Sequence, residues 1–468
     1  MAAEDLPDRG GGGAIGRALL ARLGEQIASG ALPAGSRLMS IRKAAAHFGV
    51  SKNTMVEVYD RLVAAGQVVA RPGSGFVVCE PPGSEAVPRP RHVAEAVDIA
   101  SLLGAQLEQV FDVRVGDGRP PPSWTEQSEV RRHLSTNGRV LPEESEAYGS
   151  ALGYLPMRQQ IARRLAARSI AAREDNILLT FGANHALDLI VRATVAAGDT
   201  VLVDEPGYYP LFAKLKLAQV RMVGVRRNPD GPDVADFVAR LASDRPRVFF
   251  TQSLAHNPTG GSISLPVAHA ILTAAARHNV LIVEDDPFAD LPTTVDNRLV
   301  RLDQLNDVLS VGTFSKTLSA SLRSGFIAGR PDRIAALAEL KMLTTVNSSG
   351  HVERLLHRLL AEGHYDRHLK RLGRRVAAAS ERVLGRLEQA RCRTFSADTG
   401  GGYYLYLMLP DGIDDIEIAR LGAKEGIFIA PGSVFCLDKR NPVARGLRIN
   451  VARADDPRFY DFLLRRLT

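Results

Sequence analysis

From about residue 112 to the end of the chain, short apolar segments rich in β-branched and aromatic residues alternate with helical patterns. Parallel strands covered by helices produce this alternation, because each crossover between two parallel strands needs a dozen or more residues. We therefore predict an α/β fold with a mostly parallel central sheet. The predicted strands are the segments 177–181, 200–203, 247–252, 280–285, 308–312 and 325–329.

Polar motifs follow several of these strands, at the sheet edge where ligands of α/β folds bind. Gly182-Ala183-Asn184 begins a helix whose backbone N–H groups could hold a phosphate. Tyr208 could stack on a flat ring or simply pack in the core, and HNPTG supplies the side chain of Asn257. Asp285 lies in EDD, a motif compatible with a solvated strand end, although the preceding VLIV indicates a buried position.

The segment GTFSKTLSASLRSGF, residues 312–326, surrounds Lys316 with hydroxyl groups and places Arg323 seven residues further on. A lysine reacts with an aldehyde only as the neutral amine, which burial and nearby positive charge favour. The hydroxyls and the guanidinium suit phosphate oxygens. Taken alone, the segment is equally compatible with an ordinary surface lysine in a Ser/Thr-rich loop.

In their order along residues 112–468, these motifs resemble the fold type I enzymes dependent on pyridoxal 5′-phosphate, the aspartate aminotransferase-like group. The resemblance implies that Lys316 forms the internal aldimine and that Asp285 pairs with the pyridine nitrogen. It also implies that Asn257 bonds the phenolic oxygen. The remaining implied roles are ring stacking by Tyr208, phosphate contacts from Ala183, Asn184, Thr313, Ser315 and Arg323, a substrate-carboxylate clamp at Arg448, and a substrate entrance at Gly153 and Tyr154.

One residue departs from that pattern. EDDPF has Phe288 where aminotransferases of this group commonly have a tyrosine, whose hydroxyl bonds the phenolic oxygen of the cofactor. We expect its loss to change the pKa of the aldimine and to weaken transamination without preventing cofactor binding.

The segment between Ala14 and Glu80 has eight basic and four acidic residues, a net charge of +4 within a chain total of +7. Its pattern predicts three short helices followed by a two-stranded hairpin, with N-caps at Ser40 and Ser51. The third helix should bury one face and expose the other. The residues predicted to be buried are Met55, Val58 and Leu62, and those predicted to face outward are Lys52, Asn53 and Val56.

This segment resembles the winged helix-turn-helix of the GntR family of bacterial regulators, through SGALPAGSRLMSIRKAAAHFGVSKNTMVEVYDRLVAAGQV and the wing RPGSGFVV. The resemblance implies DNA contacts from Arg42, Ser51, Lys52, Asn53, Thr54 and Gly75. Met39 stands where the family usually has proline, and Lys52 where arginine is common, so a phosphate or single-bond contact is expected there. The alternative is a small helical module for dimerisation or protein binding.

The predicted domain order is a flexible tail (1–13), the winged helix-turn-helix (14–79), a Pro-rich linker that ends in a helix (80–111), and the cofactor-binding domain (112–468). Within the last, residues 170–345 form the large part, while 112–169 and 346–468 form the small part. The 468-residue chain has no apolar run near the roughly 20 residues that span a bilayer. Its three cysteines match no metal spacing. We expect a cytoplasmic protein without a metal site.

Joined in this order, the two domains resemble the MocR-type, GabR-like subfamily of GntR regulators. The resemblance implies a head-to-tail homodimer that binds promoter DNA and senses pyridoxal phosphate, an amine or an amino acid at Lys316. One alternative is a working aminotransferase with an accessory DNA-binding domain, and another is a DNA-binding protein whose large domain is a cofactor-free dimerisation scaffold. Sustained turnover, the effector and the sign of regulation stay open.

Overall fold

The computed structural model separates into two compact units, Met1–Pro90 and Arg91–Thr468. The residues that it describes are 12–28, 32, 35–71, 75–79, 90–108, 111–125, 130, 133–134, 147–292 and 296–467. Most of the predicted tail, residues 80–89 of the predicted linker and residues 72–74 of the predicted wing turn therefore lie outside the described residues.

The described part of the first unit consists of three helices followed by an antiparallel hairpin, as the sequence pattern predicts. The elements are α1 (Gly12–Ala28), α2 (Ile41–His47), α3 (Lys52–Ala64), β1 (Val68–Arg71) and β2 (Gly75–Val78). The backbone segment before α2 pairs with the hairpin, because the amide of Leu38 donates to the carbonyl oxygen of Phe76 over 2.9 Å. This pairing joins the wing to the helices.

Both predicted N-caps are present. The Oγ atom of Ser40 accepts from the amide of Lys43 over 3.4 Å, and that of Ser51 accepts from the amide of Thr54 over 3.1 Å. Each bond satisfies one of the backbone donors that the first turn of a helix leaves without a partner. The two serines therefore fix where α2 and α3 begin.

The buried face of α3 is the predicted one. Met55, Val58 and Leu62 are at most 2% exposed and pack against Leu19 and Leu23 of α1. Spacings of three and four residues put such side chains on a single stripe of the helix. The opposite face of α3 is consequently left to solvent.

The second unit contains an eight-stranded mixed sheet with the order β3-β10-β9-β8-β7-β4-β5-β6. The strands are β3 (Ile177–Thr180), β4 (Thr200–Glu205), β5 (Arg221–Asn228), β6 (Gly231–Pro232), β7 (Val248–Thr251), β8 (Leu281–Asp285), β9 (Val308–Thr313) and β10 (Gly325–Ala328). Pairing is parallel from β9 through β8, β7 and β4 to β5. The sheet is thus mostly parallel, as predicted.

Two details of this sheet differ from the prediction. β10 runs antiparallel to both of its neighbours, because only residues 314–324 connect it to β9 and that is too few for a parallel crossover. The sequence analysis also missed β5, whose RMVGVRRN has three arginines and resembles a polar loop. β5 tolerates them because Arg221 and Arg226 face solvent, whereas the buried Arg227 pairs with Asp204 over 2.9 Å.

Side chains of the central strands alternate between two hydrophobic cores, so the sheet is buried on both faces. Leu202, Phe249 and Ile282 belong to one core, whereas Val203 and Phe250 belong to the other. This explains the nearly continuous apolar character of the strands. The helices of the unit are α4 (Arg91–Glu108), α5 (Pro122–Thr125), α6 (Leu155–Ala166), α7 (Ala183–Thr194), α8 (Tyr209–Leu217), α9 (Val234–Asp244), α10 (Leu265–Arg277), α11 (Leu299–Asp303), α12 (Pro331–Thr345), α13 (Gly350–Ala361), α14 (His364–Gln389), α15 (Asp415–Lys424) and α16 (Pro457–Leu467).

A smaller antiparallel sheet with the order β11-β12-β14-β13 follows in the C-terminal part of the chain. Its strands are β11 (Arg393–Thr394), β12 (Tyr404–Met408), β13 (Ala430–Pro431) and β14 (Gly446–Asn450). Residues 113–118 lie along this sheet, because the amide of Asn450 donates to Val115 and the amide of Phe428 donates to Val113. Among the described residues, no helix combines the length and apolarity required to cross a membrane.

Candidate functional site

Lys316 lies in the connection between β9 and β10, at the carboxyl end of β9. Its Nζ atom donates a hydrogen bond to the carbonyl oxygen of Gly118. Tyr403 fixes the backbone here, since its hydroxyl donates to the carbonyl oxygen of Lys316 over 2.7 Å. Burial lowers the pKa of Lys316 to about 8, and the positive charge of Arg448 acts in the same direction. At pH 7 roughly a tenth of the amine is therefore neutral and nucleophilic.

Asp285 ends β8 and is 7% exposed. Its Oδ2 atom accepts from Nε2 of Gln252 over 3.3 Å, while its Oδ1 atom is buried and has no hydrogen-bond partner within the described part of the chain. Burial raises the pKa of Asp285 to about 7, against the opposing effects of Gln252 and Lys316. A buried carboxyl oxygen of this kind fits a cationic N–H donor such as a protonated ring nitrogen.

Arg448 on β14 is 2% exposed and approaches Asn257 from the small sheet. One guanidinium nitrogen donates to Oδ1 of Asn257 over 3.0 Å, and another donates to the carbonyl oxygen of Gly116 over 2.6 Å. The side-chain amide of Asn257 is thereby oriented with its NH₂ group available as a donor, as bonding to a phenolic oxygen requires. The Nε atom of Arg448 is buried without a partner among the described atoms.

The groups predicted to contact a phosphate meet where α7 begins. Gly182 is the N-cap of α7, has φ of +86° and provides no side-chain cap. A Cβ atom at Gly182 would lie 3.2 Å from Nη2 of Arg323, so glycine leaves room for the guanidinium. Arg323 also reaches Oγ of Ser315 at 3.5 Å. The structure thus brings Arg323 and Ser315 to the start of α7, which is formed by Ala183 and Asn184.

Thr313 and Tyr208 are the two other residues predicted to contact the cofactor. The hydroxyl of Thr313 donates to the carbonyl oxygen of Ser324 and accepts from the amide of Ser315, so it shapes the loop that contains the lysine. Tyr208 lines the same cavity as Asp285. Burial raises the pKa of Tyr208, so its phenol stays protonated.

Tyr154 has different neighbours. Its ring lies under the guanidinium of Arg354 at 4.4 Å, and its amide donates to Oε2 of the buried Glu353 over 2.8 Å. These contacts are with α13 and not with the side chains around Lys316. Gly153 has φ of +95°, and a Cβ atom there would collide with Leu179, which explains the glycine.

The sequence analysis missed residues 116–118. Asp117 is fully buried, and its carboxylate pairs with Arg114 at 3.0 Å and Arg119 at 3.2 Å. These ion pairs hold the segment so that the carbonyl oxygens of Gly116 and Gly118 face Arg448 and Lys316. An acidic residue between two glycines and two arginines, RVGDGR, was the available signal. Gln252 and Tyr404 were also missed, since an amide and an aromatic residue within strands carry no such signal.

The predicted DNA-contact residues lie on the first unit. Arg42, Lys52 and Asn53 are exposed near the first turns of α2 and α3. The hydroxyls of Ser51 and Thr54 are 2.8 Å apart and hydrogen-bonded to each other, so both belong to the cap of α3. Gly75, in the wing, is exposed with φ of +77° and has no atom within 4 Å of where a Cβ would be.

Residues 115–462 match the family described as aminotransferase class I and II, and residues 16–78 match the family of bacterial regulatory proteins, gntR family. The chain is 29% identical to the uncharacterized HTH-type transcriptional regulator YdcR of Escherichia coli K12, over 89% of this chain and 91% of the relative. It is 28% identical to the probable rhizopine catabolism regulatory protein MocR of Rhizobium meliloti, over 89% of this chain and 86% of that one.

A kynurenine aminotransferase from Pyrococcus horikoshii, solved with PMP, has the same fold as the second unit. Its TM-score is 0.73 over 82% of this chain and 97% of that chain, at 22% identity. The cofactor of such a domain is pyridoxal phosphate, and the orphaned oxygen of Asp285 together with the space at Gly182 fits it. Through residues 115–462 the chain belongs to the family of class I and II aminotransferases, preceded by a DNA-binding domain of the gntR family.

Proposed function

We propose that the protein is a transcription regulator of the MocR type, in which the first unit binds promoter DNA and the second senses pyridoxal phosphate or an amine or amino acid that reacts with it. The observation that carries the proposal is the half-buried amine of Lys316 together with the buried carboxyl oxygen of Asp285 that has no partner among the described atoms, in a chain that also contains a gntR-family domain. Both halves of a ligand-responsive regulator are thus present in one polypeptide. Neither half alone supports this function.

In this proposal Lys316 would hold the cofactor through its amine, and Asp285 would accept a hydrogen bond from the ring nitrogen. Asn257 would donate to the phenolic oxygen through its side-chain NH₂ group, and Tyr208 would cover the ring. Residues that hold the phosphate are Ala183, Asn184, Ser315 and Arg323, with Thr313 shaping their loop. When bound, the cofactor supplies an aldehyde and an electron-withdrawing ring.

The effector is proposed to be an amine that carries a carboxylate. Arg448 already donates to two oxygen atoms of its own chain, and its planar guanidinium is suited to a carboxylate. A carboxylate that replaces the carbonyl oxygen of Gly116 would remove one of the hydrogen bonds that hold residues 116–118 to the small sheet. Such a ligand prefers one conformation of this segment and can therefore shift a conformational equilibrium.

Promoter binding is proposed to use Arg42, Lys52, Asn53 and the wing glycine Gly75, with Ser51 and Thr54 holding the helix N-terminus against the DNA backbone. We further propose a head-to-tail homodimer in the cytoplasm, in which Tyr154 lines the entrance to a site, and two DNA-binding domains that contact repeated half-sites.

The experiment is a parallel measurement of visible absorbance and of binding to the DNA upstream of the gene, with the full chain and its Lys316→Ala variant. We expect an absorbance band with pyridoxal phosphate that Lys316→Ala lacks, and DNA affinity that responds to a panel of amino acids in the wild-type protein only. An unaltered band in Lys316→Ala would exclude the assigned lysine. DNA affinity that ignores the cofactor and every amine would exclude sensing and favour a scaffold.

A second candidate function is a working aminotransferase with an accessory DNA-binding domain. The observation that favours it is the assembly of Lys316, Asp285, Asn257 and Arg448 around one site, which includes both cofactor and carboxylate partners. Incubation with amino donors and a keto acid discriminates the two functions. Many turnovers per site would support the enzyme, whereas a single half-reaction is compatible with the sensor.

A further inference from the structure

Position 288 follows β8 by three residues and has a phenylalanine, so it supplies no hydroxyl to the site. Phe288 is completely buried, and two tyrosine rings pack on it edge to face. The ring centroids of Tyr403 and Tyr404 lie 5.0 Å and 5.5 Å from that of Phe288. Two hydroxyl-bearing rings therefore contact the one ring that lacks the hydroxyl expected from aminotransferases.

The two tyrosine hydroxyls act on different atoms. The hydroxyl of Tyr403 donates to the main-chain carbonyl oxygen of Lys316 and so fixes the loop. The hydroxyl of Tyr404 donates over 2.8 Å to the carbonyl oxygen of Gly118, the same oxygen that accepts from Nζ of Lys316. Since the second bond is 2.5 Å long, the Tyr404 oxygen and the Lys316 nitrogen are at most about 5.3 Å apart.

We propose that Tyr404 is a positioning residue for the amine of Lys316: its hydroxyl shares the Gly118 carbonyl oxygen with Nζ and thereby favours the neutral amine. Tyr404 thus supplies, from β12, a hydroxyl to a site in which Phe288 has none. This inference rests on the proposed function, because Lys316 matters only as the amine that reacts with a carbonyl group.

The direction in which the Tyr404 hydroxyl shifts the protonation of Lys316 follows from the hydrogen bonds. A carbonyl oxygen that already accepts from a hydroxyl is a weaker acceptor for an ammonium group, and the ammonium form of Lys316 is stabilised less. Tyr404 is 1% exposed, and burial raises its pKa to about 12 despite the opposing charge of Arg448. Its hydroxyl therefore keeps its proton and remains a donor throughout the range in which the amine titrates.

Other charged groups act on Lys316 from every side. Arg448 of β14 and Arg119 lower its pKa, while Asp117 and Asp285 raise it. Replacing Tyr404 with phenylalanine removes one oxygen atom and changes none of these four charges. The effect of the hydroxyl can therefore be separated from that of its charged surroundings.

The experiment uses the full chain freed of cofactor and labels it with trace acetic anhydride over a range of pH. Mass spectrometry of the Lys316 peptide gives the midpoint of amine titration, with the Lys316→Arg variant as assignment control. We expect Tyr404→Phe to raise the midpoint by about half a unit to one unit, roughly a 3- to 10-fold loss of neutral amine below the midpoint. Site-specific 4-aminophenylalanine at position 404 keeps the ring and an uncharged N–H donor, so it should return the midpoint toward the wild-type value.

The matched control is Tyr406→Phe, because Tyr406 is a buried tyrosine of the same strand whose hydroxyl donates to the carbonyl oxygen of Val443. We expect no change in the Lys316 midpoint for this variant. A midpoint that Tyr404→Phe leaves at the wild-type value would overturn the inference while leaving cofactor binding intact. A shifted midpoint in a chain that never binds pyridoxal phosphate would instead refute the proposed function and leave this inference standing.

Discussion

Replacing Asp285 with asparagine should stabilise the cofactor-free protein at alkaline pH. In the folded protein the pKa of Asp285 is raised to about 7 by burial, whereas an unfolded chain has the ordinary value of 3.8. Between those two values the unfolded state releases a proton that the folded state retains, so stability falls as the pH rises. A difference of about 3 units corresponds to a cost of about 4 kcal/mol, complete above pH 7.

The assay is urea unfolding of the full chain without cofactor at several pH values. We expect Asp285→Asn to exceed the wild type in unfolding free energy by up to about 4 kcal/mol at pH 8, with a difference that shrinks to nothing near pH 4. Asp411→Asn is the matched control, because that side chain is 94% exposed. Added pyridoxal phosphate should make the wild type more stable than Asp285→Asn, since only the carboxylate pairs with a protonated ring nitrogen.

Two results would contradict this reasoning. The first is an Asp285→Asn variant no more stable than the wild type at pH 8. The second is a gain in stability that is the same at pH 5 and pH 8, because a change in packing or hydrogen bonding would not depend on the titration of a carboxyl group. Either result would mean that Asp285 does not carry a buried, unfavourable charge.

Three further predictions concern other parts of the chain. The double change Arg42→Ala and Lys52→Ala should weaken promoter binding. If both side chains contact phosphates, the slope of log affinity against log salt concentration should become shallower by about 2, as measured by DNA titrations at several salt concentrations. An unchanged affinity would refute this recognition surface. Ser51→Ala should destabilise the first unit by about 1 kcal/mol, because the N-cap of α3 is lost. Hydrogen exchange of the backbone amides of that unit measures the difference. Equal protection of these amides in the variant and the wild type would contradict the prediction. Gly182→Ala should strain the backbone at φ of +86° by about 1–3 kcal/mol and displace the guanidinium of Arg323. Spectroscopic titration should then show weaker binding of pyridoxal phosphate. An unchanged affinity for the cofactor would contradict this prediction.

Local signals in the sequence were sufficient for the helices and hairpin of the first unit and for six strands of the large sheet. The serines at positions 40 and 51 specify helix starts through bonds to residues three positions away. Continuous apolar runs predicted buried parallel strands, since both faces of such a sheet are covered. The departure at Phe288 was also visible, because its distance from Asp285 is fixed within one short segment.

The sequence by itself determined the two domain types and the cofactor and predicted the role of Lys316, because each depends on residues that are neighbours along the chain. Only the tertiary structure decided which groups act on that lysine. Gly118 is 198 residues from Lys316, and Asn257 is 191 residues from Arg448. Tyr404 contacts Gly118 across 286 residues. No local pattern encodes such pairs, because they arise when the small sheet and residues 116–118 fold against the carboxyl ends of β8 and β9.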